Sequence, residues 1–217
     1  MKCKIVIISF LGLLVSCSNA EHNKSRNDTI TVTEHSDVEY STDQRLIIIQ
    51  ELEKLRNLLL SGDKQKIATV FQFPLADTTV GIYLEDSAYN SEFTANGNMT
   101  TESMFLRFFP QISASLQLQE LNELFRVFRL EDLQQKDTLR RDVKVKAEPC
   151  FKFYGIEIQG NQVTLTTGQG VNDTFKSQKS MDDDIPENSS EFCESVTWWI
   201  FQFNGRELRF VKQTGAG

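Results

Sequence analysis

The chain has 217 residues, of which 40% are hydrophobic and 24% charged, and its formal net charge is -7. This composition, without a long biased tract, excludes a fibrous or disordered protein and predicts one folded domain with short appendages. An acidic chain without a basic stripe repels phosphate backbones, which argues against nucleic-acid binding. Both histidines, His22 and His35, lie near the N-terminus.

The first residues are typical of an export signal. Lys2 and Lys4 form a short basic start, and residues 5–15 form an apolar stretch that is too short to span a bilayer. We therefore predict that residues 1–16 are a signal peptide that is removed from the mature protein. Its removal takes away two lysines and no acidic residue, so the mature chain is more acidic than the full sequence.

The end of this segment, Leu14-Val15-Ser16-Cys17, resembles the lipobox of bacterial lipoproteins, in which the cysteine becomes the lipidated first residue after cleavage. The resemblance implies a lipid on Cys17 that anchors the protein to a membrane without a spanning helix. We expect a location in the envelope of a Gram-negative cell, on the outer membrane, facing either the periplasm or the cell surface. The alternatives are an ordinary secretory signal cut near Ala20 and an uncleaved anchor.

A polar segment follows the lipobox. Residues 17–42 are rich in Ser, Thr, Asn, Asp and Glu and show no helical period, so we predict a flexible tether. Residues 43–217 are predicted to form a single domain. Because both histidines fall in the tether, we do not expect either of them to reach a buried site.

The domain is predicted to begin with two helices. Asp43 can cap a first helix that ends at Ser61-Gly62, and Asp63 can cap a second, short helix that ends before Phe73-Pro74. Apolar residues recur along the first helix at steps of three and four. They are Leu46, Ile49, Leu52, Leu55, Leu58 and Leu59.

Residues 78–98 give a weaker pattern. Val80, Ile82 and Leu84 alternate with other residues ahead of an Asn96-Gly97-Asn98 turn, which suggests a short strand.

An aromatic helix is predicted next. It starts at Thr100 or Thr101, is kinked at Pro110, and continues as a second segment from Leu116 to Phe128. Its stripe of phenylalanines is more typical of a protein core than of a ligand site, because aromatic side chains supply large buried areas.

The last third of the chain predicts four to five antiparallel strands. Val143, Val145 and Ala147 alternate with polar residues, and the densest basic group, around Arg140, is interpreted as a solvated strand face. Further on, the apolar positions change parity across Gly155, with phenylalanines before it and isoleucines after it. This change predicts a β-bulge at Gly155.

Two hairpins are predicted from their turn residues. Gly160-Asn161 turns one strand into the next, and Asn204-Gly205 is a strong signal for a two-residue turn near the C-terminus.

The order of helices, aromatic helix and hairpins resembles the NTF2-like (cystatin-like) cone, an α+β fold in which N-terminal helices pack on a curved C-terminal antiparallel sheet. Similar segments occur in uncharacterised lipoproteins of Bacteroides-type bacteria, and the likeness covers residues 43–217. The stretches that carry it are Ser61 to Lys64 with Phe73 to Leu75, Gly155 to Asn161, and Trp198 to Gly205. The resemblance implies that any ligand site is the cavity between the concave sheet face and the helices, whereas the fold does not choose a function.

Most familiar catalytic chemistry is excluded. Ser-His-Asp and Cys-His mechanisms need a histidine, which the domain lacks. A zinc site needs four ligands, and the domain has only two cysteines, Cys150 and Cys193. We predict no metal and no cofactor. Acidic residues at 182–184 and around 187–194 are interpreted as an exposed loop and not as a calcium site. Catalysis by tyrosine or carboxylate side chains is possible, but no spacing distinguishes one candidate from the others. The candidates are Tyr83, Tyr89, Tyr154, Asp86 and Glu157.

The cysteines predict one disulfide. Export places the domain in an oxidising compartment, Cys3 is lost with the signal peptide, and Cys17 carries lipid. Cys150 and Cys193 therefore remain as the pair, with two buried free thiols as the alternative.

Two function classes follow. We favour a non-enzymatic envelope protein that binds a small molecule, a glycan or a protein partner, and the alternative is an isomerase-like or hydrolase-like enzyme that uses tyrosine and carboxylates. For a binding protein we expect an apolar pocket near Phe108, Tyr154, Trp198 and Trp199, in which Tyr154 or Trp198 supplies a polar tip. A fully filled aromatic core without a cavity is the competing expectation.

Overall fold

A computed structural model describes residues 42–145, 147–172 and 193–217, in which helices precede a five-stranded antiparallel sheet. The α+β class is therefore confirmed. The predicted signal peptide, the lipid attachment at Cys17, nearly all of the tether and most of the acidic cluster lie outside the described residues.

The first helix, α1 (Thr42–Leu60), follows the predicted period. Its buried face packs in the core, and it ends before Gly62, whose φ of +64° is the left-handed conformation that favours glycine after a helix. Leu46 does not belong to that face, because its side chain is 38% exposed. The first turn is held instead by Arg45, which donates to the Leu133 carbonyl and pairs with Asp137. The buried residues of α1 are Ile48, Ile49, Leu52, Leu55 and Leu59.

The second helix, α2 (Lys64–Ala68), begins where the capping residue predicts. The Asp63 carboxylate accepts hydrogen bonds from the Gln65 and Lys66 amides at 2.9 and 3.4 Å. A short ribbon follows, in which β1 (Leu75–Ala76) pairs with β2 (Met99–Thr100).

The strand predicted at residues 80–84 was wrong. Val80 and Ile82 are buried, but their backbone is irregular and pairs with no strand in the described ranges. A helix that lacks an apolar period, α3 (Ser87–Ala95), comes next instead. Its start is fixed by the Asp86 carboxylate, which accepts from the Ala88 and Tyr89 amides.

The aromatic region forms three helices, namely α4 (Glu102–Arg107), α5 (Phe109–Ser115) and α6 (Leu118–Val127). Thr101 caps α4, as predicted. The break falls at Phe108 and not at Pro110, because Pro110 lies in the first turn of α5, where its missing N–H costs no helical hydrogen bond. A short 3-10 turn (Leu130–Gln134) leads into the sheet.

The sheet is a meander in which each strand pairs with the next one in sequence. Its strands are β3 (Thr138–Val143), β4 (Cys150–Gln159), β5 (Gln162–Val171), β6 (Ser195–Phe203) and β7 (Leu208–Ala216). The strand predicted through Val145 and Ala147 ends earlier, at Val143. The helices cover one face of this sheet, with α6 against β5 and α1 against β7.

The two hairpins differ from each other. Gln159 pairs with Gln162, so Gly160-Asn161 is the predicted two-residue turn. The turn at Asn204 contains four residues, because the Asn204 side-chain oxygen accepts from the amides of Arg206 and Glu207, both at 3.0 Å, and carries the chain on to Leu208.

The bulge predicted at Gly155 was wrong. β4 pairs with β3 and β5 without a shift of register, and the irregularity lies between Ile200 and Phe201 in the β6–β7 pair. The parity change has another cause, since both sheet faces carry apolar residues. We call the face that carries Gly155, Thr166 and Trp198 the outer face, and the face that carries Ile156, Leu165 and Trp199 the inner face.

The core between the inner face and the helices is filled with aromatic rings. Phe71 of the segment after α2 lies at its centre, with ring centroids 5.2 Å from Phe105 and 5.1 Å from Phe210. Such tilted and edge-on contacts are the favoured arrangements of packed aromatic rings.

The structure brings the two predicted disulfide cysteines together. Cys150 begins β4 and Cys193 lies just before β6, with Cα atoms 5.2 Å apart, a separation that a disulfide spans. Asn172 is buried beside this pair, and its side-chain amide donates to the carbonyls of Val145 and Glu148 at 3.1 and 2.6 Å. Side-chain hydrogen bonds therefore join the segment before β4 to the residue that follows β5.

Candidate functional site

Among the described residues, Tyr154 and Trp198 of the expected pocket both line one depression of the sheet, whereas Phe108 and Trp199 do not line it. Phe108, Tyr154 and Trp199 are only 7%, 3% and 1% exposed and belong to the core, whereas Trp198 is half-buried on the outer face. Successive strand residues point to opposite sides of a sheet, so Trp198 and Trp199 face different surroundings.

Tyr154 takes part in a cluster that joins the sheet to a helix. Its hydroxyl donates to one oxygen of Glu120 on α6 at 3.0 Å, and Lys152 donates to the other oxygen at 2.7 Å. Burial, together with the neighbouring Glu120 carboxylate, raises the pKa of Tyr154, so this phenol stays protonated at neutral pH. The cluster clamps α6 to β4, and all of its groups are used in doing so.

The other tyrosine and carboxylate candidates are dispersed. The Tyr89 hydroxyl bonds the Thr100 hydroxyl at 2.6 Å inside the protein, where burial raises the pKa of Tyr89. Asp86 caps α3, and Tyr83 is 78% exposed. Glu157 lies on the outer face.

Metal binding finds no support in the described part of the chain. No three His, Cys, Asp or Glu side chains converge there in a way that would hold an ion.

A depression of about 400 Å³ lies on the outer face. One row across the sheet runs through its centre, in which Arg140, Gly155, Thr166 and Trp198 are register partners on β3, β4, β5 and β6. We call this feature the outer-face depression. The other outer-face residues that line it are Thr138, Phe153, Glu157 and Val196.

Most polar side chains around the outer-face depression have no hydrogen-bond partner among the described residues. Within residues 42–145, 147–172 and 193–217, the side chains of Thr138, Thr166, Glu157 and Trp198 make no hydrogen bond or ion pair. Arg140 pairs with Asp142 through Nε at 3.6 Å and lies over the Phe153 ring, 5.2 Å from its centroid. Hydroxyl, carboxylate and indole N–H groups without another partner thus lie beside an aromatic surface, together with the terminal N–H groups of Arg140, whose Nε is paired.

The floor of the depression is Gly155, and the backbone does not require glycine there. A Cβ at this position would meet Thr166 Cβ at 3.5 Å and the Leu139 carbonyl oxygen at 3.6 Å, which are ordinary contacts. Glycine in the interior of a strand costs stability and often marks a bulge or a close approach by another molecule. The regular register excludes a bulge at Gly155, and the surface above it is open to a close approach by another molecule.

The two other glycines of the same face have a packing reason. Gly168 lies opposite Phe153 and Gly170 opposite Phe151, and a Cβ at Gly168 would also come within 2.5 Å of the Ser195 carbonyl oxygen. These glycines therefore make room for rings and for the neighbouring strand. Gly155 has no such ring above it.

A second groove, of about 320 Å³, runs between α1 and the β6–β7 turn. Its charged groups are already used. The Glu51 carboxylate accepts from Lys54 at 2.5 Å and from the Leu208 amide at 3.4 Å, and Arg209 pairs with Glu207 at 2.8 Å. The outer-face depression is the better candidate for this reason.

Sequence reasoning named Trp198 but not the depression. The signal in the sequence that marks it is the single Gly155 within an otherwise regular strand, at the position where the pattern predicts a bulge. No family model, curated protein or solved structure matches this chain. Among the described residues, no helix is both long and apolar enough to cross a membrane.

Proposed function

We propose that this chain is a lipid-anchored, non-catalytic binding protein of a bacterial cell envelope, and that its ligand occupies the outer-face depression. The observation that carries the proposal is Gly155. Neither backbone conformation nor packing explains the glycine at this position. Its neighbours across the sheet are Arg140 and Thr166, and Trp198 follows on the next strand.

We also propose that the sheet and helices form an NTF2-like cone. In that family the ligand enters between the sheet and the helices, but here the corresponding space contains Phe71, which contacts both Phe105 and Trp199. The proposal therefore assigns the ligand to the opposite face of the sheet. The enzymatic alternative has less support, because the Tyr154–Glu120 pair already joins β4 to α6.

The binding function is tested by thermal unfolding of the full chain with fractions of an envelope extract. A ligand at about 100 times its Kd stabilises the folded state by about 2.7 kcal/mol, which raises Tm by about 5 °C or more in a domain of this size. We expect at least one fraction to stabilise the wild type but not Gly155→Leu, whose side chain would fill the depression.

The matched control is Gln202→Ala, an exposed outer-face change on β6 outside the depression, which should respond like the wild type. If Gly155→Leu itself unfolds, Gly155→Ala takes its place. Equal stabilisation of the wild type and the glycine variant, or no stabilisation by any fraction, would contradict the proposal.

The lipid anchor is tested by Cys17→Ser. A single lipidated residue supplies the membrane attachment in this proposal, so we expect the variant to move from the membrane fraction to the soluble fraction of the producing cell. Fractionation and immunoblotting measure the change, and Cys3→Ser, within the signal peptide, is the control. Unchanged membrane association of Cys17→Ser would reject lipidation at this residue.

A further inference from the structure

We infer that the ligand of the outer-face depression is a neutral saccharide, one ring of which packs against Trp198. The inference rests on the proposed function, because it names the class of ligand for the same site.

The apolar side of the depression is aromatic and half-exposed. Trp198 and Phe153 flank the site together with Val196, on an open sheet face and not in an enclosed pocket. A sugar ring offers C–H groups on its faces, which pack on an aromatic ring while its hydroxyls stay in contact with water. A lipid or another wholly apolar ligand would need an enclosed cavity to gain as much from burial.

The polar side offers both donors and acceptors. The Thr138 and Thr166 hydroxyls can do either, the Glu157 carboxylate accepts, and the Arg140 guanidinium and Trp198 indole N–H donate. A ligand that matches this mixture must carry several groups that both donate and accept. Hydroxyl groups have this property, and a saccharide presents many of them around one ring.

The charges favour a neutral ligand. Arg140 stands on one side of the Gly155 floor and pairs with Asp142, while Glu157 lies two residues along β4 from the floor. An anionic ligand would meet the Glu157 carboxylate, and a cationic ligand would meet the Arg140 guanidinium. The formal charge of -7 further disfavours an anion. The volume of about 400 Å³ is at the small end of ligand sites and suits one or two sugar residues of a longer chain.

The test divides the stabilising envelope extract by charge and by chemistry. The fraction that neither anion-exchange nor cation-exchange resin retains is treated with periodate, which cleaves the vicinal diols of sugars, and is then quenched with borohydride. We expect this neutral fraction to raise the Tm of the full chain and to lose that effect after periodate. A mock-treated sample, in which the periodate is quenched before it is added, should keep the effect.

A direct titration uses malto-, cello-, xylo- and mannohexaose as probes, followed by tryptophan fluorescence and calorimetry. We expect at least one to bind, with an affinity at least tenfold weaker in Trp198→Ala and Gly155→Leu and nearly unchanged in Gln202→Ala. Trp198→Phe should recover part of the affinity, because it keeps an aromatic face. Circular dichroism and Tm show that each variant is folded, and Gly155→Ala replaces Gly155→Leu if the leucine variant is unfolded.

The outcomes separate this inference from the proposed function. The stabilisation could survive periodate or occur only in a resin-bound fraction, and still depend on Gly155. Either result would overturn the neutral saccharide as the ligand and leave the binding function standing. Absence of stabilisation by every fraction, with no hexasaccharide bound, would overturn both. Binding of a hexasaccharide that Trp198→Ala does not weaken would reject the assigned contact.

Discussion

Replacing Cys150 and Cys193 together with alanine is expected to lower the free energy of unfolding by about 4 kcal/mol. The two residues are 43 positions apart in sequence, and a cross-link of that span restricts the unfolded chain by about this amount in the chain-entropy model. The disulfide joins Cys150, the first residue of β4, to Cys193, which lies two residues before β6. Alanine is chosen because Cys193 is fully buried, where a serine hydroxyl would add a separate cost.

The measurement is urea unfolding of the oxidised wild type, the wild type in dithiothreitol, and the double variant. The reduced wild type should unfold close to the double variant, and dithiothreitol should leave the double variant unchanged. A peptide map of unreduced protein should contain the Cys150 and Cys193 peptides joined. Equal stability of all three samples, or two reactive thiols at these positions in unfolded, unreduced protein, would contradict the bond.

The elements that sequence predicts well are those whose ends are fixed by local chemistry. Asp63 caps α2 with its own carboxylate, and Gly62 ends the preceding turn with a positive φ, so both signals can be recognised without tertiary structure. α3 is not predicted, although its start is fixed in the same way. Its cap, Asp86, is a local signal, but the helix has no apolar period, and the buried Val80 and Ile82 suggested a strand.

The candidate site was predicted only in part because a strand with apolar residues on both faces hides its orientation. Trp198 and Trp199 are adjacent, and only pairing with β5 shows that Leu165 lies beside Trp199 while Thr166 lies beside Trp198. The regular pairing of β4 with β3 and β5 likewise shows that Gly155 is not a bulge and that it forms the floor of the depression. Register is a long-range property, so no local pattern contains it.

Two of the strand glycines on the outer face, Gly155 and Gly168, are expected to respond to alanine in opposite directions. Gly155→Ala should raise the free energy of unfolding by about 0.5–1 kcal/mol, because the new methyl group fits and the unfolded chain loses freedom. Gly168→Ala should lower it by about 1–3 kcal/mol, since its Cβ would approach the Ser195 carbonyl oxygen to 2.5 Å and the backbone must move. Urea unfolding of both variants measures the difference.

A third variant identifies the obstacle at Gly168. In a Phe153→Leu background the ring above the glycine is gone but the Ser195 carbonyl remains, so Gly168→Ala should stay destabilising. Destabilisation by Gly155→Ala would show that the fold itself needs this glycine and would remove the main support for a ligand at the depression. If Gly155→Ala instead stabilises the protein and weakens ligand binding, the natural glycine keeps the floor of the depression open and lowers stability. This pattern is expected where a strand serves recognition in addition to packing.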